Sequence, residues 1–167
     1  AMQWICGEVD SVNAVQANRL NDLEAEDTTV ATVKFENGAL GTIEVTTAAR
    51  PEDMDASLTL VGELGSATIG GVALNEVSHW KFVDSHPDDV HIPSQYSTEV
   101  PNGYGYSHGP LIEDIVRRIR EGKYVAPIAP ESAAQTVRLI HSLYRSAEDS
   151  AVVQLRDDLR SRKLGAG

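Results

Sequence analysis

Tyr104, Tyr106, Ser107 and His108 form the one compact group of ligand-competent side chains, in the run Y-G-Y-S-H-G-P. They stand at the entrance to a helix, because Pro110 suits a first helical position, where its missing N–H costs nothing. Free N–H groups and the dipole at such an entrance favour anions. Phenol hydroxyls and an imidazole can hydrogen-bond sugar hydroxyls or a phosphate, and histidine moves protons near neutral pH. The competing reading has His108 capping the helix and the tyrosines packing over its end. The pattern leaves both open.

Arg50, beside Pro51 at the end of a strand, offers a fork that can clamp a carboxylate or phosphate; a surface ion pair to Glu52 or Asp53 is the plainer alternative. His86-Pro87-Asp88-Asp89-Val90-His91 holds two imidazoles and two carboxylates, the ligand types of a divalent metal site. A solvated acidic loop is the commoner meaning of such a run, and no metal is assigned. Gly62 to Gly71 reads G-E-L-G-S-A-T-I-G-G, but a dinucleotide fingerprint needs G-x-G-x-x-G between a strand and a helix. These glycines sit where tight turns need them. No G-x-S-x-G, H-E-x-x-H or P-loop motif occurs.

The elements that must position these groups follow from period and punctuation. Leu111, Ile112, Ile115, Val116 and Ile119 share one face at period 3.6 up to a stop at Gly122. A second helix opens at Pro130-Glu131, with Ala133, Val137, Ile140, Tyr144 and Ala147 on one face. Upstream the chain reads as strand. Val9–Ala17 alternates; Thr28–Glu36 and Ala39–Thr47 flank Asn37-Gly38, a two-residue hairpin signal that needs positive φ at both positions. Its Thr28, Thr32, Thr42, Glu44, Thr46 side is polar with little charge, fit for solvent, a ligand or another subunit. Strands at Ala56–Leu60 and Ser66–Ile69 flank a turn, and Val72–Val83 adds one or two more, with Trp80 and Phe82 on one side. Residues 84–101 form a long loop with a short strand at Ser94–Glu99, and a last short strand covers Ala151–Leu155. Strands first and helices last is the α+β order.

At 41% hydrophobic and 23% charged, the 167 residues have the composition of one soluble globular domain. A net charge of −11 argues against nucleic acid or an anionic membrane as the main partner. No apolar run approaches the roughly 20 residues of a membrane span. The single cysteine, Cys6, makes no internal disulfide, and a reducing cytoplasm is the simplest setting. Ala1–Gly7 reads as the last turns of a helix ending at a C-cap glycine, so the chain is expected to begin inside an element of something longer.

From Trp4 to Leu155 the ordered set of pieces resembles the C-terminal domain of the Gfo/Idh/MocA oxidoreductase family. They are W-I-C-G, N-G-A-L-G-T-I, G-E-L-G-S-A-T-I, Y-S-H-G-P-L-I-E-D-I-V-R-R-I-R-E-G, A-P-E-S-A-A-Q-T-V-R-L-I-H-S-L-Y-R-S-A and V-V-Q-L. The resemblance implies an α+β domain with an open, mostly antiparallel sheet. Helices cover one face, and the other is available to a second subunit of a homo-oligomer. It implies that residues 1–167 are the substrate-binding and oligomerisation half of a longer enzyme whose N-terminal Rossmann domain, absent here, binds NAD or NADP. The substrate would be a sugar, cyclitol or nucleotide sugar. The family's catalytic lysine, in an E-K-P motif, and its catalytic histidine lie upstream of Ala1, so no residue here is assigned as catalyst and the chain is not expected to turn over alone. His108 matches a histidine common near the start of the family's penultimate helix and is expected in the substrate pocket, with Tyr104, Tyr106 and Arg50. The alternatives are a stand-alone non-enzymatic dimerisation or sugar-binding module and a hydrolase using a metal at His86 and His91.

Overall fold

The computed structural model describes residues 1–52 and 54–165. They fall into two compact units, one of residues 1–50 with 128–167 and one of residues 51–127. Each follows the α+β reading with its own open antiparallel sheet.

The first unit begins with helix α1 (Met2–Cys6), which ends at Gly7 with φ 86° as a C-cap glycine should. Strand β1 (Val9–Ala17) pairs with β2 (Thr28–Phe35), and β2 pairs with β3 (Leu40–Thr46). The final short strand β7 (Val153–Gln154) adds to the other edge of β1, so the order is β3-β2-β1-β7. Period-two alternation buries Val12, Ala14, Ala31, Val33 and Phe35 on one face. The long helix α4 (Pro130–Asp149) covers that face with Leu139 and Leu143, and Leu155 closes the core. The opposite face carries Thr28 paired with Thr46, Thr32 with Thr42 and Val30 with Glu44; Val15 and Val30, cross-strand neighbours, are exposed there.

Two local expectations change. The β2–β3 turn is a three-residue loop rather than two. Gly38 N–H donates to Phe35 O at 3.0 Å and Phe35 N–H to Ala39 O at 2.9 Å, and only Gly38 takes positive φ (90°). This is a tight turn followed by a glycine bulge, so Asn37 escapes the left-handed region. Its side chain instead donates to Cys6 O and accepts from Ala39 N–H, tying the hairpin to the end of α1. On α4 the buried face is Leu139, Ser142, Leu143 and Ser146, about one residue step round from the expected stripe; Val137 and Ile140 are exposed. Serine is small enough for close approach to β1, and Ser146 Oγ accepts from Ala14 N–H at 2.9 Å while donating to Ala151 O at 2.6 Å. Apolar counting favours Ile140 and cannot see a serine whose hydroxyl replaces lost backbone partners.

The second unit holds β4 (Leu58–Gly62), β5 (Gly65–Gly70) and β6 (Glu76–Phe82) in that order. Trp80 and Phe82 share a side, ring centroids 4.9 Å apart. The expected strand at Ser94–Glu99 is instead helix α2 (Ile92–Tyr96), preceded by a 3-10 turn at Pro87–Val90. Pro87 and Pro93, in the stretch expected as a long loop, occupy first-turn positions and start these helices. Helix α3 (His108–Arg120) completes the unit and buries none of its residues.

Candidate functional site

The aromatic group of the second unit sits on a loop whose backbone is pinned before α3 begins. Asn75, at the start of β6, accepts from Ala73 N–H and donates through Nδ2 to Thr98 O at 2.7 Å, while Thr98 N–H donates to Asn75 O. Gly71 lies against that side chain with φ 85°; a Cβ there would stand 2.6 Å from Asn75 Oδ1. Further on, Asn102 Oδ1 accepts from Tyr104 N–H and Asn102 O from Gly105 N–H, a tight Asx turn. Gly103 and Gly105 rest on Val72 and Ala73, and Gly105 takes φ 58°.

This turn brings Tyr104 and His108 together, ring centroids 6.3 Å apart in an edge-on arrangement. Both, and Tyr106, are exposed, Tyr104 at 78% and Tyr106 at 62%. His108 is the first helical residue rather than the cap. Ser107 occupies the N-cap with helical backbone and no side-chain bond to the first turn. The helix entrance therefore presents backbone N–H groups without a protein side-chain acceptor, beside an imidazole and two phenols, a surface suited to hydroxyls and anions.

Arg50 belongs to the first unit, where β3 ends. Its Nη1 donates to Ala49 O at 2.7 Å and its Nη2 to Asn21 Oδ1 at 3.0 Å. Neither Glu52 nor any other described carboxylate forms an ion pair with it; Asp53, the other expected partner, lies outside the described residues. Behind Asn21 stands Asp27, 2% exposed. Its Oδ2 accepts from the backbone N–H groups of Arg19, Leu20 and Asn21 at 2.9, 2.7 and 3.1 Å, and Oδ1 from the Thr28 hydroxyl. Those bonds, led by Leu20, hold its carboxyl far below the usual carboxylate range despite burial.

The first unit also has a cleft of 370 Å³ lined by Gln16–Asn18, the 23–26 stretch, Tyr144 and the 163–165 tail. Burial, reinforced by the neighbouring Glu26 carboxylate, pushes the Tyr144 phenol up to about 12.

The histidine–aspartate run is a capping device. His86 Nδ1 accepts from Asp88 N–H, and Asp89 accepts from His86 N–H at 2.6 Å and from Trp80 Nε1–H at 3.0 Å. Among the described residues no three His, Cys, Asp or Glu side chains gather as a metal site. The glycine run does not fit a dinucleotide: Gly62 and Gly65 close the β4–β5 hairpin, and a Cβ at Gly65 would strike the Lys81 carbonyl and the Phe82 ring. Sequence reasoning missed Asn21, Asp27 and Asn75, whose only signal was residue type in a loop; each also bonds a partner at a distance, Asp27 with Asn21 six positions away, Asn21 with Arg50 29 and Asn75 with Thr98 23.

Residues 1–155 match the family model described as the oxidoreductase family, C-terminal alpha/beta domain (GFO_IDH_MocA_C). No curated protein matches the chain. Among solved structures, the WlbA dehydrogenase of Chromobacterium violaceum, in complex with NADH and UDP-GlcNAcA, is 33% identical with a TM-score of 0.77, over 92% of this chain and 42% of that one. WlbA of Bordetella pertussis, with the same two ligands, gives 33% and 0.76 over the same shares. A levoglucosan dehydrogenase with NADH and levoglucosan, at 22% and 0.67 over 92% and 46%, shows the fold alone. The chain thus spans less than half the length of each.

Proposed function

The chain belongs to the Gfo/Idh/MocA oxidoreductase family, and from that premise we propose that it is the substrate-binding half of an NAD(P)-dependent dehydrogenase acting on a nucleotide sugar. One observation carries this: the 33% identity over 92% of the chain to two dehydrogenases complexed with NADH and UDP-GlcNAcA. His108, Tyr104 and Tyr106 contribute hydroxyl- and anion-binding groups, and Arg50 contributes a cation. NAD or NADP, which exchanges a hydride with a substrate carbon, is held by residues outside this chain, since the glycine-rich stretch here serves a hairpin. The acid–base groups also lie outside it, so residues 1–167 alone bind and orient but do not turn over.

The exposed face of the four-stranded sheet, with Val15 and Val30 side by side among threonines, supports a homo-oligomer through that face. No helix among the described residues is long and apolar enough to cross a membrane. The acidic charge and lone cysteine suit a cytoplasmic enzyme that binds neither membrane nor nucleic acid.

His108→Ala in the full-length enzyme should raise KM for the nucleotide sugar about tenfold while the cofactor KM stays within about twofold. Equal rises in both would make His108 a structural residue and remove it from the pocket.

A further inference from the structure

Arg50 differs from most arginines of this chain in what fixes it. Arg117, Arg118, Arg138, Arg145, Arg156 and Arg162 all face carboxylates within ion-pair distance. The two partners of Arg50 among the described residues are neutral oxygens, Ala49 O and Asn21 Oδ1. A guanidinium has five N–H donors; these two bonds use neutral oxygens, which do not offset its charge, and among the described residues the other donors are available to a ligand. In a chain of net charge −11, a local cation of this kind favours an anion that the overall field opposes.

The bond to Asn21 is the outer end of a rigid arrangement. Asn21 Nδ2 donates to Thr47 O at 3.1 Å and reaches Thr47 Oγ1 at 3.3 Å, so one amide bridges the end of β3 and the arginine. Thr47 N–H donates to Asp27 O at 2.8 Å, and the buried Asp27 carboxylate takes the Asn21 backbone N–H. Asn18 Nδ2 closes the same loop on Leu23 O and Ala25 O. An exposed arginine alone would sample many rotamers; here its head group is referred through Asn21 to a fixed loop.

We propose that Asn21 is a positioning residue that presents the Arg50 guanidinium to an anionic group of the substrate, the carboxylate or the diphosphate of a uronic-acid nucleotide sugar. This rests on the reading of the chain as a nucleotide-sugar-binding half. An aspartate at position 21 would still accept from the guanidinium, but it would neutralise that charge and lose the Nδ2 donor to Thr47 O; asparagine keeps the anchor and leaves the arginine charged.

The test is titration calorimetry on the full-length protein with NADH present, using UDP-GlcNAcA and, as a probe lacking the carboxylate, UDP-GlcNAc. Arg50→Ala and Asn21→Ala should each weaken UDP-GlcNAcA about tenfold, and the double variant should bind like Arg50→Ala alone, because Asn21 acts through Arg50. Asn21→Asp should be weaker than Asn21→Ala, and it remains informative if the alanine variant does not melt cooperatively. Loss confined to UDP-GlcNAcA assigns the carboxylate; equal loss with UDP-GlcNAc assigns the diphosphate. An Asn21→Ala penalty that persists in the Arg50→Ala background, or Asn21→Asp binding as well as wild type, overturns the proposal. Wild-type protein binding neither probe removes the nucleotide-sugar reading itself; intact wild-type binding with unaffected variants removes the roles of both Asn21 and Arg50 and leaves that reading standing.

Discussion

Helices α3 and α4 are both amphipathic, yet the structure uses them differently. In α4, Leu139, Ser142, Leu143 and Ser146 are buried against the four-stranded sheet. In α3, Leu111, Ile112, Ile115, Val116 and Ile119 keep 37 to 60% of their surface exposed. Helix α3 is braced by its own side chains, with Asp114 accepting from Arg118 at 2.6 Å and Arg117 reaching Glu121 at 3.3 Å. Exposed pairs of that kind contribute little to stability. An apolar stripe therefore says that a helix forms and which side is greasy, but not that the side is covered. The consequence for function is that the start of α3, where His108 stands, is located by the Asn75 and Asn102 turns rather than by packing of the helix behind it.

The sharpest way to break this contrast is a pair of truncations. Leu139→Ala should cost about 2–5 kcal/mol, the range for a buried leucine. Ile115→Ala should cost less than about 1 kcal/mol, since its side chain leaves little cavity behind. Denaturant unfolding of both variants would reverse the picture if their losses were equal.

Next in size are the two buried serines of α4. Ser146→Ala leaves Ala14 N–H and Ala151 O without a partner and should cost about 1–3 kcal/mol. Ser142 Oγ is buried with no partner, so Ser142→Ala should be neutral or stabilising by up to about 1 kcal/mol. The same unfolding curves decide it: a Ser142→Ala loss as large as that of Ser146→Ala would mean both hydroxyls are satisfied.

A third effect is pH-dependent. The Asp27 carboxyl titrates lower folded than unfolded, so its stabilisation is complete above its unfolded value of about 3.9 and is lost as pH falls toward the folded value. Asp27→Asn should be less stable than wild type at neutral pH, and the gap should narrow below about pH 4. A gap that stays constant down the acid limb would show that Asp27 titrates normally. The smallest effect is alkaline. Tyr144, raised to about 12, contributes stability that is full below the unfolded phenol value of about 10 and fades as pH rises toward 12. Tyr144→Phe should flatten that limb; an unchanged slope would contradict it.

The α+β order, the strand positions of the first sheet and the turn glycines were all legible, because period-two alternation and Asn-Gly are local signals. Trp4–Cys6 as a helix end before Gly7 was legible for the same reason. The face of α4 was not, because Ser142 and Ser146 gain burial from a strand more than 120 residues away. Helix α2 was misread as strand because Pro93 punctuates a first turn and a break alike. The proximity of Tyr104 and His108 was legible because they are neighbours in sequence. The Asp27–Asn21–Arg50 series joins three loop residues whose relation exists only once β2 and β3 have paired.

The central claim, that this chain binds a nucleotide sugar, is met most directly by calorimetric titration of UDP-GlcNAcA into the full-length protein with NADH. The account predicts saturable one-to-one binding, in the micromolar-to-millimolar range usual for enzyme substrates, that His108→Ala weakens. No heat of binding up to millimolar ligand, from a protein that still binds NADH, would contradict it.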